Sequence, residues 1–181
     1  GYENKAPVGG TEDGGSDTPD AEPTMFMSRI MPRSKYVAYV GDSLTKGMGN
    51  AMPNLTVYAT EGHTVGQGYS AYADKIVADK PLVVIMCYGT NDAVNGSNGI
   101  DKFKTDYKKF VKLLKDNNIQ VYINTIPPGD STKATNENYK TAIKNIPSYN
   151  AVLSEIAAEG ATVIDATSGI TGDSYSSDGL H

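Results

Sequence analysis

The chain has 181 residues, with 21 acids against 16 bases and a formal charge of −5, a length that suits one domain with a sizeable core. Residues 1–24 hold six of the acids and one base, so the whole imbalance sits there and the rest is neutral, without the basic excess of a nucleic-acid binder. A lone cysteine, Cys87, excludes an intrachain disulfide, and no apolar run approaches the ~18 residues of a membrane span.

Residues 1–24 are rich in Gly, Asp, Glu, Thr and Pro and carry too little apolar surface to offset the entropy of ordering. They read as an acidic linker or tail, followed by a folded domain over 25–181. Linkers of this composition tether secreted bacterial domains to an anchor or a larger chain, so the expected address is extracytoplasmic.

From Tyr36 onward, strand and helix patterns alternate. Tyr36–Val40 is a short apolar run that ends on Gly41-Asp42-Ser43-Leu44. Leu55–Ala59 predicts a second strand, and Gly68–Asp79 a helix with Tyr69, Tyr72 and Ile76 at helical spacing. The run Leu82–Cys87, "LVVIMC", reads as a fully buried strand followed by Gly89-Thr90-Asn91-Asp92. Ile100–Asn117 predicts the clearest helix, with Phe103, Tyr107, Phe110, Val111 and Leu114 on one stripe. Ile119–Asn124 is the fourth strand. Two helices, Asn138–Asn145 and Ser148–Glu159, are expected on either side of Pro147, and Thr162–Ile164 opens the fifth strand. This alternation implies a mostly parallel sheet covered on both faces: a flavodoxin-like α/β/α sandwich of order 2-1-3-4-5. Sites in such sheets lie beyond the carboxyl ends of the strands.

Gly-Asp-Ser occurs three times, at 41–43, 129–131 and 172–174. Ser43 follows the first strand directly, beside a potential helix N-terminus that favours developing negative charge. Ser131 and Ser174 lie in Gly- and Pro-rich loops. A serine nucleophile needs a base, and the chain has two histidines, His63 and His181. Asp178 precedes His181 by three residues in "SDGLH", so its carboxylate can accept from Nδ1–H and leave Nε2 to take a proton. Asn91, just past the third strand, can offer its amide to an oxyanion. Asp42 and Asp92 read as structural acids that hold the turns. Lys46-Gly47 lacks the Gly-Lys-[Ser/Thr] order of a phosphate-binding loop.

Gly-Asp-Ser-Leu after strand one, Gly-Thr-Asn-Asp after strand three and Asp-x-x-His at the far end together resemble the SGNH (GDSL-type) hydrolases over residues 36–181. The resemblance implies an esterase, lipase, thioesterase or carbohydrate O-deacetylase that needs neither metal nor cofactor. It implies Ser43 as nucleophile, His181 as base and Asp178 as its orienting acid. The Ser43 N–H and the Asn91 side chain belong to the implied oxyanion hole, with a glycine after strand two. "YATEGHTVGQG" departs from the usual Asn-x-x-x-x-Gly there. Its "EGH" resembles the "EGHxG" of family-three, acetylxylan-esterase-like carbohydrate esterases, which favours Gly66 and keeps Gly62. Family members continue past the histidine with Pro and Asn and a final helix, so the domain is expected to stop short at His181.

The short polar loops suggest an open site and a small acyl group such as acetyl, which points to a carbohydrate or cell-wall O-deacetylase acting on an acetylated polysaccharide. A general short-chain esterase or lysophospholipase-like lipase is the alternative. An inactive binding module with the same fold is the alternative of another class. A flavodoxin-like cofactor binder, using "GDSLTKG" as a phosphate cradle, leaves Asp178 and His181 unexplained.

Overall fold

The computed structural model describes residues 36–181. The linker expected over 1–24 and the domain start expected at 25 lie outside the described residues.

Five strands, β1 (Val37–Gly41), β2 (Thr56–Ala59), β3 (Val83–Cys87), β4 (Gln120–Asn124) and β5 (Thr162–Ile164), form one sheet of order β2-β1-β3-β4-β5. Every neighbouring pair is parallel, with Val40 opposite Tyr58 on one side and Met86 on the other. The sequence-based order and the α/β/α class hold. The helices are α1 (Ser43–Ala51), α2 (Val65–Asp79), a short α3 (Thr90–Ala93), α4 (Ile100–Asp116), α5 (Glu137–Ala151) and α6 (Leu153–Ala157).

The strand order and the right-handed crossover rule decide which face each helix covers. The β1-to-β2 step runs one way along the sheet; the steps to β3, β4 and β5 run the other. Helix α1 therefore stands on one face, while α2, α4 and α5–α6 stand on the opposite face. Burial follows this division. Ala38, Val40, Val84, Met86, Val121 and Ile123 alternate along their strands, point to the multi-helix face and are at most 1% exposed. Their neighbours Tyr39, Ile85, Cys87 and Tyr122 point to the α1 face and are half-buried.

The α4 stripe is as expected: Phe103, Tyr107, Phe110, Val111 and Leu114 are all buried. Two boundaries differ from expectation. Helix α2 begins at Val65, earlier than Gly68, because Thr64 and Gln67 form a reciprocal capping box. Helix α5 runs through Pro147 and breaks only at Val152. Tertiary bonds hold the turn after the proline: the Tyr149 hydroxyl donates to the carbonyls of Asp92 and Gly96, and Asn150 bonds both N–H and carbonyl of Ile126. These anchors offset the one helical bond that Pro147 removes. Among the described residues no helix is long and apolar enough to cross a membrane.

Candidate active site

The carboxyl ends of β1, β3, β4 and β5 converge on one edge, as the parallel sheet requires. At β1, Gly41 is dictated by space. A Cβ there would stand 2.6 Å from the Cys87 carbonyl oxygen of β3 and closer still to the Thr45 side chain. Asp42 follows in extended backbone as the N-cap of α1, its carboxylate accepting from Leu44 N–H at 3.1 Å. Ser43 is thereby the first residue of α1, where a backbone N–H has no intrahelical acceptor.

Asn91 stands in α3, beyond β3. Its Nδ2 donates to the His63 carbonyl at 3.0 Å and to Asp42 Oδ2 at 3.4 Å, which ties the ends of β1, β2 and β3 together. Asp42 is almost wholly buried, and desolvation pushes its carboxyl up to about 6 against the opposing Leu44 N–H and the charge of His181. Asp92 accepts from Val65 N–H at the start of α2. Desolvation pushes Asp92 up to about 7 against the Val65 N–H, and the nearby Asp42 and Asp106 carboxylates add to the rise.

The far end of the chain brings the imidazole. Asp178 Oδ2 lies 2.7 Å from His181 Nδ1, and Oδ1 accepts from Ser176 hydroxyl and from the N–H groups of Leu180 and His181. Desolvation pushes Asp178 upward, but the His181 backbone and imidazole bonds, with those of Leu180 and Ser176, outweigh it. They hold the carboxyl well below the usual range. An ionised acceptor at Nδ1 selects the Nδ1–H tautomer and leaves the Nε2 lone pair outward. That lone pair meets Ser43: Oγ and Nε2 are 2.9 Å apart. The loop docks on the segment after β4, where Asp130 N–H donates to the Gly179 carbonyl and Lys133 Nζ to the Gly172 and Tyr175 carbonyls. Gly179 has φ +75, and a Cβ there would stand 2.3 Å from the Asp130 carbonyl oxygen.

Of the three Gly-Asp-Ser serines, only Ser43 is joined to an imidazole. Ser131 is exposed in a turn, and Ser174 Oγ accepts from Thr171 N–H in a local cap. The two candidate glycines separate. Gly62 is the third residue of a turn closed by His63 N–H to the Thr60 carbonyl, next to the residue whose carbonyl holds Asn91. Gly66 lies inside the first turn of α2 and faces α4, where a Cβ would stand 2.4 Å from Asp106 Oδ2. His63 and Gly66 line an open cleft of about 710 Å³ with Tyr69, Lys102 and Asp106.

Several contributors had no sequence signal strong enough to single them out. The Tyr139 ring meets the His181 ring edge-on at 5.9 Å, from a helix 42 positions upstream. The Ser176 hydroxyl on Asp178 was visible only as the serine of "SSDGLH". Among the described residues no cluster of three or more His, Cys, Asp or Glu is arranged to hold a metal ion.

A parallel α/β/α sheet carrying a hydroxyl, an imidazole and a carboxylate in bonded sequence at its carboxyl edge is the framework of an acylhydrolase. The chain belongs to the GDSL-like lipase/acylhydrolase family, whose sequence pattern matches residues 11–181. No curated protein matches closely enough to count as a relative. Among solved structures, a proposed acylhydrolase of Bacteroides fragilis is 26% identical, with a TM-score of 0.68 over 81% of this chain and 78% of that one. A GDSL-like lipase of Bacteroides thetaiotaomicron is 21% identical, with a TM-score of 0.67 over 83% and 81%. An acetylxylan esterase of Geobacillus stearothermophilus is 16% identical, with a TM-score of 0.58 over 80% and 84%.

Proposed function

We propose that this acylhydrolase is a serine esterase that works through an acyl-enzyme and removes a small acyl group from a carbohydrate or cell-wall ester. The observation that carries the reading is the unbroken row Ser43 Oγ, His181 Nε2, His181 Nδ1, Asp178 Oδ2, with steps of 2.9 and 2.7 Å. In this reading His181 Nε2 takes the Ser43 proton as the hydroxyl attacks the ester carbonyl, and Asp178 stabilises the imidazolium. His181 then hands that proton to the leaving alcohol, and water repeats the sequence on the acyl-enzyme. All of these transfers use protein groups.

The oxyanion is assigned to the Ser43 N–H at the α1 N-terminus, the Asn91 amide and the Gly62 N–H. Gly62 is preferred to Gly66 because it adjoins the His63–Asn91 bond, whereas Gly66 faces α4. The long 3.4 Å bond from Asn91 to Asp42 is the one an oxyanion would displace. The half-exposed imidazole suits a bulky alcohol such as a polysaccharide, which the linker-like composition of residues 1–24 supports as an extracytoplasmic substrate. The alternative of a general short-chain esterase is favoured by the apolar cavity described next.

The reading is tested by labelling with a fluorophosphonate, then mapping the adduct, alongside hydrolysis of acetylated xylan, acetylated peptidoglycan and p-nitrophenyl esters. The expected adduct lies on Ser43 and is absent from Ser43→Ala. An adduct elsewhere, or hydrolysis that survives Ser43→Ala, overturns it.

A further inference from the structure

A cavity of about 150 Å³, open to solvent on one side, lies on the α1 face of the sheet, and both chain neighbours of Ser43, Asp42 and Leu44, stand in its wall. Its other apolar walls are Met48 of α1 and Ile126 and Pro127 beyond β4; Cys87 closes the inner end and the exposed Ala166 stands at the rim. The Cys87 sulfur is satisfied by Asn124 Nδ2 at 3.1 Å. Desolvation pushes the thiol up to about 11, against the opposing pull of the neighbouring Thr45 and Asn124 side chains, so it stays neutral and presents a soft, apolar surface.

The direction of the chemistry decides which half of an ester can enter. His181 Nε2 must protonate the leaving oxygen, and the imidazole is 36% exposed. The alcohol therefore leaves toward solvent, and the acyl chain runs to the other side of the attacked carbon. There the cavity beside Leu44 offers a largely apolar wall that removes methylenes from water.

We propose that this cavity is the acyl pocket and that it accepts unbranched chains from butyryl to hexanoyl in preference to acetyl. The proposal rests on Ser43 as the nucleophile and deepens that reading. The size follows from volume: 150 Å³ holds about five heavy atoms at the roughly 30 Å³ each occupies in a liquid. With the carbonyl left at Ser43, five further carbons make hexanoyl the longest chain that fits. Decanoyl must leave carbons in water or displace the Cys87 end.

The test is kcat/KM for p-nitrophenyl acetate, butyrate, hexanoate and decanoate. Each buried methylene is worth roughly four-fold in rate. Butyrate should exceed acetate by about fifteen-fold, hexanoate should match or exceed butyrate, and decanoate should fall below both. Two substitutions move the profile in opposite directions. Ala166→Leu, at an exposed position, should narrow the mouth and lower the hexanoate-to-acetate ratio by about five-fold or more. Met48→Ala should enlarge the cavity and raise the decanoate-to-hexanoate ratio. A wild-type profile that peaks at acetate, or ratios that neither variant moves, overturns the pocket while leaving a Ser43-dependent esterase intact. Hydrolysis retained in Ser43→Ala overturns the pocket and the nucleophile together.

Discussion

The two halves of the site are held by different means. The strand-end half, Asp42, Ser43, Asn91 and Asp92, is built into the fold: its two acids are almost wholly buried and its bonds join β1, β2, β3 and α2. The loop half, Asp178 to His181, is more than one-third exposed at both ionisable side chains and draws most of its bonds from residues 176–181. Change in the first half should disturb folding and chemistry together. Change in the second should disturb chemistry while the fold stands.

The largest expected effect breaks the relay itself. His181→Ala should lower kcat by about 10⁴-fold or more while shifting Tm by less than about 2 °C, because the imidazole covers little of the core. A thermal melt beside a steady-state assay reads both. A large loss of Tm would show that the loop is part of the fold. Next, Asp178→Asn should cost about 10³–10⁴-fold in kcat, because the amide no longer enforces the Nδ1–H tautomer. Its KM should stay near the wild-type value.

Asn91→Ala probes the strand-end half and should cost about 10²–10³-fold in kcat. Here the melt should fall as well, since the amide also bridges Asp42 and the His63 carbonyl. An unchanged Tm would dissolve the contrast between the halves.

The smallest effect is on stability alone. Asp42 and Asp92 have folded values of about 6 and about 7, above the ~3.9 of an unfolded aspartate. Between those values the folded state binds more protons, so stability falls as pH rises from about 4 to about 7 and is flat above. Tm should therefore be higher at pH 5 than at pH 8. Asp92→Asn, which still accepts from Val65 N–H, should raise Tm by a few degrees at pH 8 and change it little at pH 4.5. Destabilisation at pH 8 would show that the carboxylate charge at the α2 N-terminus outweighs its burial.

Much of this was legible in the chain because its signals are local or periodic. Short apolar runs marked β1, β3 and β4; a clean stripe marked α4; the three-residue step from Asp178 to His181 fixed a contact within one loop. What escaped depends on contacts between distant segments. Pro147 reads as a helix end, and only the Tyr149 and Asn150 bonds to residues 92, 96 and 126 keep α5 continuous. The choice between Gly62 and Gly66 turns on where α2 starts, which the Thr64–Gln67 box moved by three residues from the expected boundary. The cavity wall of Leu44, Met48, Ile126 and Pro127 has no period at all, since it is assembled from the ends of separate crossovers.

The loop that carries His181 closes on itself. Ser176 N–H donates to the His181 carbonyl and Gly179 N–H to the Ser176 carbonyl, and the ring is moored to the segment after β4 through Asp130 and Lys133. Asp165 and Ala166 are still tied to Thr125, but the rest of the covalent lead-in, residues 167–171, is thus a leash whose length need not set the position of the imidazole. The ring behaves as a plug-in part with its socket on a different crossover. Relatives could lengthen or shorten that leash freely, and drift in sequence along it, while the reach from Nε2 to Ser43 stayed the same.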